Sequence, residues 1–524
     1  MKTNKSRILC LLLAAFLCFG IFLTACDDDE ESSAEASKEQ SEVSLDPESE
    51  YKDANGNYVG KTSGNKYGNR VVKFLTCGVN QDHNSEIIYN EYEPGTAESS
   101  KMIEVVNRAQ GDRIDMVEQL LEVEIEEEYV YDGRRKNAEM CSRIRGDNIT
   151  LTADYQVVVP CLYDGATLAQ EGALINLYDL PGIQMAAPWW DQVFNEEATI
   201  AEQLYFTIGD IGNINKSSTA ALTFNKSLYE RNKLTEKYGG LPYDLVRNGT
   251  WTLDVVLQMT KEISNDLDHS GAIDYKDEYG WGGQLDDMWS IFYGSGSKIA
   301  TTKTADGYPE LCMYSERSSS VMDKLQSLVQ DDLHYVSAND YFGVAQWPTV
   351  LLQDNFIGGH SLFYNGSMAT PIELGEMDDA YGLLPIPKGD DTQDGYYSLV
   401  NPWTSTCFAV PMSLPEKDYE LVADLFNVMG AVSKNLVAPA YLNQCLEYMK
   451  TRDDDTIDMI ENYILPGRGC DIGMIFAWGG LDILLQDMAS NAPGTFRSSY
   501  EAKSASAQAA LDETVAQFKS QSQN

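Results

Sequence analysis

The run Tyr155-Gln156-Val157-Val158-Val159-Pro160 contains no alternation of polar and apolar residues. Such a run is typical of a central parallel strand that helices cover on both faces. Before it come a strand-like run at 71–76, a helical pattern with Asp112 as a plausible N-cap, and a second probable strand that begins at Val123. Because strand and helix patterns alternate, we predict an α/β fold.

Three later stretches predict helices. Apolar residues at helical spacing follow Thr252. Ser413 and Glu416 have the spacing of a capping box, which predicts a helix that ends before Gly430. Apolar residues on one stripe between Ser499 and Lys519 indicate a closing helix. We find no internal repeat.

Length and charge limit the functional classes. A chain of 524 residues is too long for one small core, so we expect two lobes. The 38 basic and 81 acidic residues give a net charge of −43, which excludes nucleic acid and anionic lipid headgroups as partners. Seven cysteines remain after Cys26, without a CxxC pair, and most are expected to be small buried residues.

The N-terminus has the features of a secretory signal. Lys2, Lys5 and Arg7 precede an apolar run at 8–23, and Leu23-Thr24-Ala25-Cys26 resembles a bacterial lipobox. We predict a lipoprotein signal peptide at 1–25 and a lipid anchor, such as palmitate, on Cys26. An ordinary signal peptide or an uncleaved anchor is the alternative.

The residues after Cys26 predict a tether. Acidic and small polar residues dominate from Asp27 to about Glu50, so we expect a disordered acidic tether at 26–65. The protein would then sit at the cell membrane, facing the extracellular side or a periplasm.

A twelve-residue stretch from Asp266 to Asp277 fits the spacing of a calcium loop, with Gly271 at the tight turn. Hard cations require several oxygen ligands around one point, and this alternation can supply them. The predicted ligands are Asp266, Asp268, Ser270, the Ala272 carbonyl, Asp274 and Asp277. Calcium would have a structural role here, and a solvated acidic turn is the alternative.

Several local patterns resemble one family. Residues 220–229 (Ala-Ala-Leu-Thr-Phe-Asn-Lys-Ser-Leu-Tyr), with Leu241-Pro242-Tyr243-Asp244 and Gly249-Thr250-Trp251-Thr252, are similar to extracellular solute-binding lipoproteins of ABC importers, in the branch of maltose-binding protein. The stretch 359–387 and the segment Ala187-Pro188-Trp189-Trp190-Asp191 are similar to further parts of that family. Together these patterns cover about residues 155–430.

The resemblance implies a periplasmic-binding-protein-like type II fold with two α/β lobes, a hinge and an interlobe cleft. The N-terminal lobe would comprise 66–165 plus 365–405, and the C-terminal lobe 166–364 plus 406–524. Lobe closure would be a hinge motion. A monomer that delivers its ligand to ABC permease subunits is expected.

Aromatic faces and fixed polar groups bind sugars, because a pyranose has an apolar C–H face ringed by hydroxyls. Core packing is the alternative for each tryptophan, and we assign Trp189, Trp190, Trp251 and Trp281 to packing. The residues expected to border the cleft, and hence to bind ligand, are Asp164, Asp210, Trp289, Tyr293, Tyr364, Trp403 and Trp478.

Enzyme signatures are missing from the sequence. It has no GxSxG elbow, HExxH motif or P-loop, and its four histidines are scattered. Chance adjacency accounts for acidic pairs such as Asp286-Asp287. We therefore predict a non-enzymatic carbohydrate receptor, with an oligosaccharide as ligand. A receptor for peptides or another polar solute is the alternative, as is a surface glycoside hydrolase or lyase.

Overall fold

A computed structural model describes residues 46–77, 85–91, 104–130, 138–375, 377–448 and 454–522. The predicted signal peptide at 1–25, the lipid-bearing Cys26 and the predicted tether up to residue 45 lie outside these residues. The described residues from Pro47 onward belong to one compact unit.

Fifteen strands are numbered in chain order. They are β1 Arg70–Cys77, β2 Val123–Val130, β3 Val157–Val159, β4 Phe206–Thr207, β5 Ala220–Asn225, β6 Ser264–Asn265, β7 Glu278–Gly283, β8 Ala300–Thr301, β9 Glu310–Leu311, β10 Tyr335–Ser337, β11 Ser361–Ser367, β12 Tyr381–Leu384, β13 Ser398–Leu399, β14 Phe408–Ala409 and β15 Arg468–Gly469.

The first sheet has the order β2-β1-β3-β14-β4. β1 pairs in parallel with β2 and β3, whereas β14 is antiparallel to β3 and β4. The predicted central strand is confirmed, because β3 lies in the middle of the sheet and Val157, Val158 and Val159 are fully buried.

The second sheet has the order β10-β7-β11-β5-β12, and β6 adds to β7. β10, β7 and β11 are parallel, whereas β5 and β12 are antiparallel to their neighbours. Two small sheets, β13-β15 and β8-β9, complete the strands. The predicted α/β fold class is confirmed.

Helices cover both sheets. Their bounds are Glu104–Leu121, Ala138–Thr150, Leu162–Gln170, Gln192–Ala198, Ile214–Ser217, Lys226–Arg231, Leu234–Tyr238, Pro242–Arg247, Leu253–Thr260, Met288–Gly294, Glu316–Val329, Thr349–Ile357, Thr370–Leu374, Tyr419–Tyr448, Asp454–Met459, Ile472–Phe476, Leu481–Ala489 and Phe496–Gln521. The closing helix predicted at 499–519 is confirmed.

Each main sheet has its own apolar core, which defines two lobes. The first core draws on residues up to Ile211 and on 400–432, and the second on 220–399 and 459–507. The predicted lobe boundaries are therefore wrong: 166–211 and 406–432 pack into the first core, while β11 and β12 belong to the second sheet. The reason is β5, which starts the second sheet at Ala220 and pairs with both β11 and β12.

The chain crosses between the lobes at a short antiparallel pair. Thr219 pairs with Val400, and the Asn401 N–H donates to the Ser218 carbonyl at 3.0 Å. The closing helix also passes from one lobe to the other: Ala507 lies in the second core and Phe518 in the first. These crossings lie where the resemblance implies a hinge, and hinge motion there stays a prediction.

The long helix differs from its prediction at both ends. It begins at Tyr419, because the Ser413 hydroxyl donates to Asp147 Oδ2 at 2.5 Å instead of capping the helix. It continues through Gly430, where an added Cβ would lie 2.2 Å from the Trp189 ring, so this glycine serves close packing rather than termination. The segment Glu416–Cys445 is long and apolar enough to cross a membrane, but 78% of its most apolar stretch is buried in the protein.

The first helix also begins earlier than predicted, at Glu104 rather than at Asp112. Val106, Ala109 and Gln110 are buried and continue the apolar face of the helix towards its N-terminus. Asp112 therefore lies in the interior of the helix.

Residues 47–67 pack on the first lobe, so the prediction of disorder through residue 65 is wrong. Tyr51 meets the Trp189 ring edge-on at 5.7 Å. Ser63 and Tyr67 both bond Asp424 of the long helix, and Asn427 Nδ2 donates to the Lys61 carbonyl at 2.9 Å. We call residues 47–67 the strap. Its order comes from polar side chains of the long helix together with Tyr51, Tyr58 and Tyr67, which pack against the first core.

Candidate functional site

The carboxyl ends of the parallel strands in both sheets border the hinge. In the first lobe, the Leu162 N–H just after β3 donates to the Ser405 carbonyl at 3.1 Å, four residues past the crossing at Asn401. In the second lobe, the Met368 N–H just after β11 donates to the Thr219 carbonyl at 2.9 Å. Open α/β sheets bind ligands beyond their carboxyl ends. The region flanked by these two edges is therefore the candidate cleft.

The edge of the first lobe presents an aromatic pair. Tyr163 and Trp403 meet edge-on with ring centroids 6.3 Å apart. Asp164 follows in the same helix and accepts a bond from the Cys161 thiol at 3.2 Å. Of the two predicted ligand residues near the carboxyl end of β3, Trp403 is 37% exposed, whereas Asp164 is 2% exposed and faces the Cys161 thiol.

The edge of the second lobe is formed by the segments after β7 and β10. The Leu285 N–H donates to Asn339 Oδ1 at 2.9 Å and joins the two segments. The segment after β10 then presents Phe342 and Trp347 to solvent. Tyr364, a third predicted ligand residue, is half-buried in β11 with its ring 5.7 Å from Phe356.

Exposure separates two tryptophans from the other six. Trp347 is 54% exposed and Trp403 is 37% exposed, whereas the other six are at most 4% exposed. The predicted packing roles of Trp189, Trp190, Trp251 and Trp281 are confirmed. Trp347 follows β10 of the second lobe and Trp403 contacts Tyr163 of the first, so each lobe has one exposed indole.

Two carboxylates, Asp286 and Asp287, follow the carboxyl end of β7. Asp287 Oδ2 accepts a bond from the Gln284 N–H at 2.8 Å. Burial raises the pKa of both carboxyls, and the charge of Asp286 raises that of Asp287 further. Within the described ranges, neither forms an ion pair with a lysine or arginine.

Asp210, predicted to bind ligand, lies in a buried charge cluster beside the hinge. Its carboxylate pairs with Lys216 at 2.9 Å and with Lys434 at 3.5 Å. Burial would raise the pKa of Asp210, but these ammonium groups and the Arg468 guanidinium outweigh burial and hold the pKa below its usual value. Arg468 itself pairs with Asp191. These contacts give Asp210 a role in holding the hinge.

Tyr293, also predicted to bind ligand, joins the two lobes. Its hydroxyl donates to Glu197 at 3.0 Å, and Lys298 pairs with the same carboxylate. Glu197 belongs to the first lobe, in the helix Gln192–Ala198, whereas Tyr293 and Lys298 belong to the second. Burial raises the pKa of Glu197 even though Lys298 opposes that effect.

Trp289 and Trp478 are buried, and their indole N–H groups have partners inside the protein. Trp289 donates to the Asp482 carbonyl at 2.9 Å, and Trp478 donates to the Thr514 hydroxyl at 2.8 Å. The glycine after Trp478 allows close approach of the closing helix: an added Cβ on Gly479 would lie 2.6 Å from Ala507 Cα. These contacts favour packing over ligand binding for both tryptophans.

The calcium-like loop brings three of its predicted ligands together. Carboxylate oxygens of Asp266, Asp268 and Asp277 lie within 4.8 Å of one another, and Gly271 has the positive φ, 90°, that the turn requires. Asp277 is fully buried. Asp274 is not part of this cluster, and Ser270 donates to the Ala272 carbonyl at 3.1 Å. The three clustered carboxylates also accept N–H groups of the loop. The donor chemistry fits a hard cation.

Sequence reasoning missed four groups at the second edge: Asp287, Tyr335, Trp347 and Asn365. Asp286-Asp287 was attributed to chance adjacency because acidic residues are so frequent in this chain. Tyr335 and Asn365 are buried strand residues, at 4% and 8% exposure, that no motif marks. No motif marks Trp347 either.

Searches with protein-family models and against curated proteins find no match to this sequence. Solved structures do match. The cyclic alpha-maltosyl-1,6-maltose binding protein from Arthrobacter globiformis superposes with a TM-score of 0.53 at 11% identity, covering 85% of this chain and 99% of that one. UspC from M. tuberculosis superposes with a TM-score of 0.51 at 12% identity, covering 84% and 100%. The chain has the solute-binding-protein fold.

The solute-binding-protein fold confirms the predicted architecture. It accounts for the two sheets with separate cores and for the several crossings between them. The cysteines fit this architecture too, since all seven described cysteines are free and six are buried.

Proposed function

We propose that this protein is the substrate-binding component of an ABC importer and that it captures a carbohydrate, an oligosaccharide, for delivery to permease subunits. The observation that carries the proposal is that the two exposed tryptophans, Trp347 and Trp403, belong to different lobes, on segments that follow strands of the two main sheets or the crossing between them. The solute-binding-protein fold and the solved relative that binds cyclic alpha-maltosyl-1,6-maltose support it.

Exposed indoles at a cleft suit sugars for a physical reason. The C–H face of a pyranose stacks on an aromatic ring, while the surrounding hydroxyls require hydrogen-bond partners. We propose that Trp347 and Trp403 supply the aromatic faces and that polar groups at the carboxyl ends of the strands supply the hydrogen bonds. A ligand that contacts both edges would favour the closed arrangement of the lobes.

Capture and release constitute the whole proposed activity, and no bond of the ligand is broken. The protein acts as a monomer and closes about the hinge at Thr219 and Val400. Its lipid anchor on Cys26 holds it at the outer face of the cell membrane, within reach of the permease. The strap on the long helix supports this arrangement, because it fixes the point on the first lobe where the chain leads to the anchor.

We also propose that calcium binds the loop 266–277 and stabilises it. Asp266, Asp268 and Asp277 would hold the ion, which supplies positive charge that offsets their mutual repulsion. The loop precedes β7, the strand that leads to Asp286 and Asp287. An ordered loop would therefore help to fix the position of this strand at one edge of the cleft.

A thermal-shift screen of neutral mono- and oligosaccharides tests the proposed function. A ligand that binds only the native state raises the melting temperature, by RT ln(1 + [L]/Kd) in free energy. We expect at least one oligosaccharide to do so, and Trp347→Ala or Trp403→Ala to remove the shift. Leu333→Ala is the matched control, since Leu333 is 58% exposed but lies before β10, at the opposite end of that strand from Trp347. Binding of peptides alone, or turnover of a glycan, would contradict the proposal.

A further inference from the structure

A cavity of about 580 Å³ lies in the first lobe between β2, the helix Glu104–Leu121 and the segment 85–91. β2 is the edge strand of the first sheet, and β1 separates it from β3, the strand that leads to Tyr163 and the candidate cleft. Sites for small molecules in proteins commonly measure about 300–1,000 Å³. The cavity is therefore large enough to hold a small molecule of its own.

The cavity is open to solvent along its rim. Tyr89 is 45% exposed, and the rim residues Glu91 and Asp115 are exposed as well. Gly111 lets the Tyr89 ring lie directly on the helix, since an added Cβ would be 3.3 Å from Tyr89 Cδ2. Tyr89 thus forms an aromatic wall that a ligand can reach from solvent.

The strand β2 forms the floor of the cavity. Side chains alternate along a strand, so Ile125, Glu127 and Tyr129 all face the cavity. The Glu127 carboxylate accepts the Thr76 hydroxyl at 2.6 Å, which fixes its position. Among the residues that the structure describes, no lysine or arginine forms an ion pair with Glu127. Burial raises the pKa of this carboxyl, as expected where a cation is missing beside it.

The charges behind the cavity do not compensate Glu127. Arg113 is fully buried, and its guanidinium donates to the backbone carbonyls of Ile211 at 2.6 Å and Glu86 at 2.9 Å. Its positive charge lowers the pKa of Glu127, whereas the Glu86 carboxylate raises it. The described residues that line the cavity include three carboxylates and no ammonium or guanidinium group.

We propose that this cavity binds a small organic amine in its protonated form, with the ammonium group at Glu127 and the apolar part against Tyr89, Ile114 and Ile125. A carboxylate that is largely buried is stabilised by a cation that also donates hydrogen bonds to it. Phenol rings attract the same cation through their faces. This site goes beyond the proposed carbohydrate function and does not depend on it.

Benzylamine and benzyl alcohol test the inference by titration calorimetry on the full chain, because they have nearly the same shape and only the amine is charged at neutral pH. We expect benzylamine to bind roughly ten-fold or more tightly than benzyl alcohol. Glu127→Gln should remove this preference by lowering the affinity for benzylamine roughly ten-fold. Glu124→Gln, the same charge change at an exposed position of β2 outside the cavity, should leave the preference unchanged.

Tyr89→Ala tests the aromatic wall independently of the carboxylate. Because Tyr89 lies at the rim, its loss leaves Glu127 in place and should lower the affinity for benzylamine several-fold. Benzoate, which combines the same ring with a negative charge, should not bind. Binding of benzoate as tight as that of benzylamine would contradict a site built around Glu127.

The outcomes keep this inference apart from the proposed function. The double variant Trp347→Ala with Trp403→Ala should bind benzylamine as the unchanged protein does. Equal affinities for benzylamine and benzyl alcohol, or equal losses in Glu124→Gln and Glu127→Gln, would overturn the inference and leave the carbohydrate function standing. Failure of every sugar to bind would overturn the carbohydrate function and leave the amine site standing.

Discussion

Asn435 and Tyr58 exchange two hydrogen bonds: the Tyr58 N–H donates to Asn435 Oδ1 at 2.9 Å, and Asn435 Nδ2 donates to the Tyr58 carbonyl at 2.8 Å. One side chain of the long helix thus satisfies both backbone groups of a strap residue. Asp424 and Asn427 lie at helical spacing from Asn435 and also bond the strap: Asp424 accepts the Ser63 N–H at 2.9 Å, and Asn427 Nδ2 donates to the Lys61 carbonyl at 2.9 Å. The strap is therefore fastened along one polar face of that helix.

Asn435→Ala should loosen the strap without unfolding the lobes. It removes both bonds to Tyr58 and leaves backbone groups without partners, at a cost of about 1–3 kcal/mol. Limited proteolysis should show faster cleavage within 47–67 while the rest of the chain stays protected. Asn462→Ala, at an exposed asparagine bonded to Asp458 alone, is the control. Equal cleavage rates in both variants would show that these bonds do not hold the strap.

Gly60→Ala should disrupt the strap by crowding. An added Cβ would lie 2.2 Å from the Asn427 carbonyl oxygen and 2.7 Å from the Val428 nitrogen, both backbone atoms. We expect a loss of about 1–3 kcal/mol in chemical denaturation. Gly146→Ala is the matched control: its Cβ meets nothing within 4 Å in the helix Ala138–Thr150, so it should stabilise by about 0.4–1 kcal/mol. A change of the same sign in the free energy of unfolding of both variants would contradict the prediction.

Calcium should raise the melting temperature through the loop 266–277. At a free concentration about ten times Kd, one bound ion adds about 1.4 kcal/mol. Asp266→Asn with Asp268→Asn removes two of the three converging carboxylates and should abolish the difference between calcium chloride and EDTA. An identical calcium response in this variant and in the unchanged protein would place the ion elsewhere.

The stability of the protein should depend on pH through Asp471. Burial raises the pKa of this carboxyl to about 6. Since the folded value exceeds the ordinary 3.8, the contribution of Asp471 is fully present below pH 3.8 and is lost as pH rises through about 6. The difference between these two pKa values corresponds to a change in the free energy of unfolding on the order of 3 kcal/mol.

Asp471→Asn tests this pH dependence, because asparagine does not titrate. Between pH 4 and 7 the variant should gain stability relative to the unchanged protein, as followed by chemical denaturation. Asp332→Asn, at an exposed position, should show no such trend. If the free energies of unfolding of Asp471→Asn and of the unchanged protein differed by the same amount at all pH values, the pH dependence would not come from Asp471.

Local pattern was sufficient to predict the α/β class, the central strand Val157–Val159 and the closing helix. Each has apolar residues at a spacing that one strand or one helix face explains by itself. The tight turn at Gly271 was predictable for a similar reason, because the turn needs a positive φ that glycine adopts easily.

The strap and the lobe boundaries depend on partners far away in the chain. Residues 47–67 have few apolar side chains and are ordered by Asp424, Asn427 and Asn435, which lie more than 350 residues later. Trp478 was predicted to border the cleft, but the closing helix packs against the glycine that follows it. Spacing does not reveal which element fills a gap, and for the same reason Tyr335 and Asn365 escaped detection.

Recovery of a bound solute tests the central claim most directly. The purified protein is incubated with a mixture of neutral oligosaccharides, washed, and denatured, and the released solute is identified and quantified by mass spectrometry. We predict about one equivalent of an intact oligosaccharide, with none recovered from the double variant Trp347→Ala with Trp403→Ala. Recovery of shortened glycans, or of no carbohydrate at all, would contradict the account of a receptor that captures its ligand unchanged.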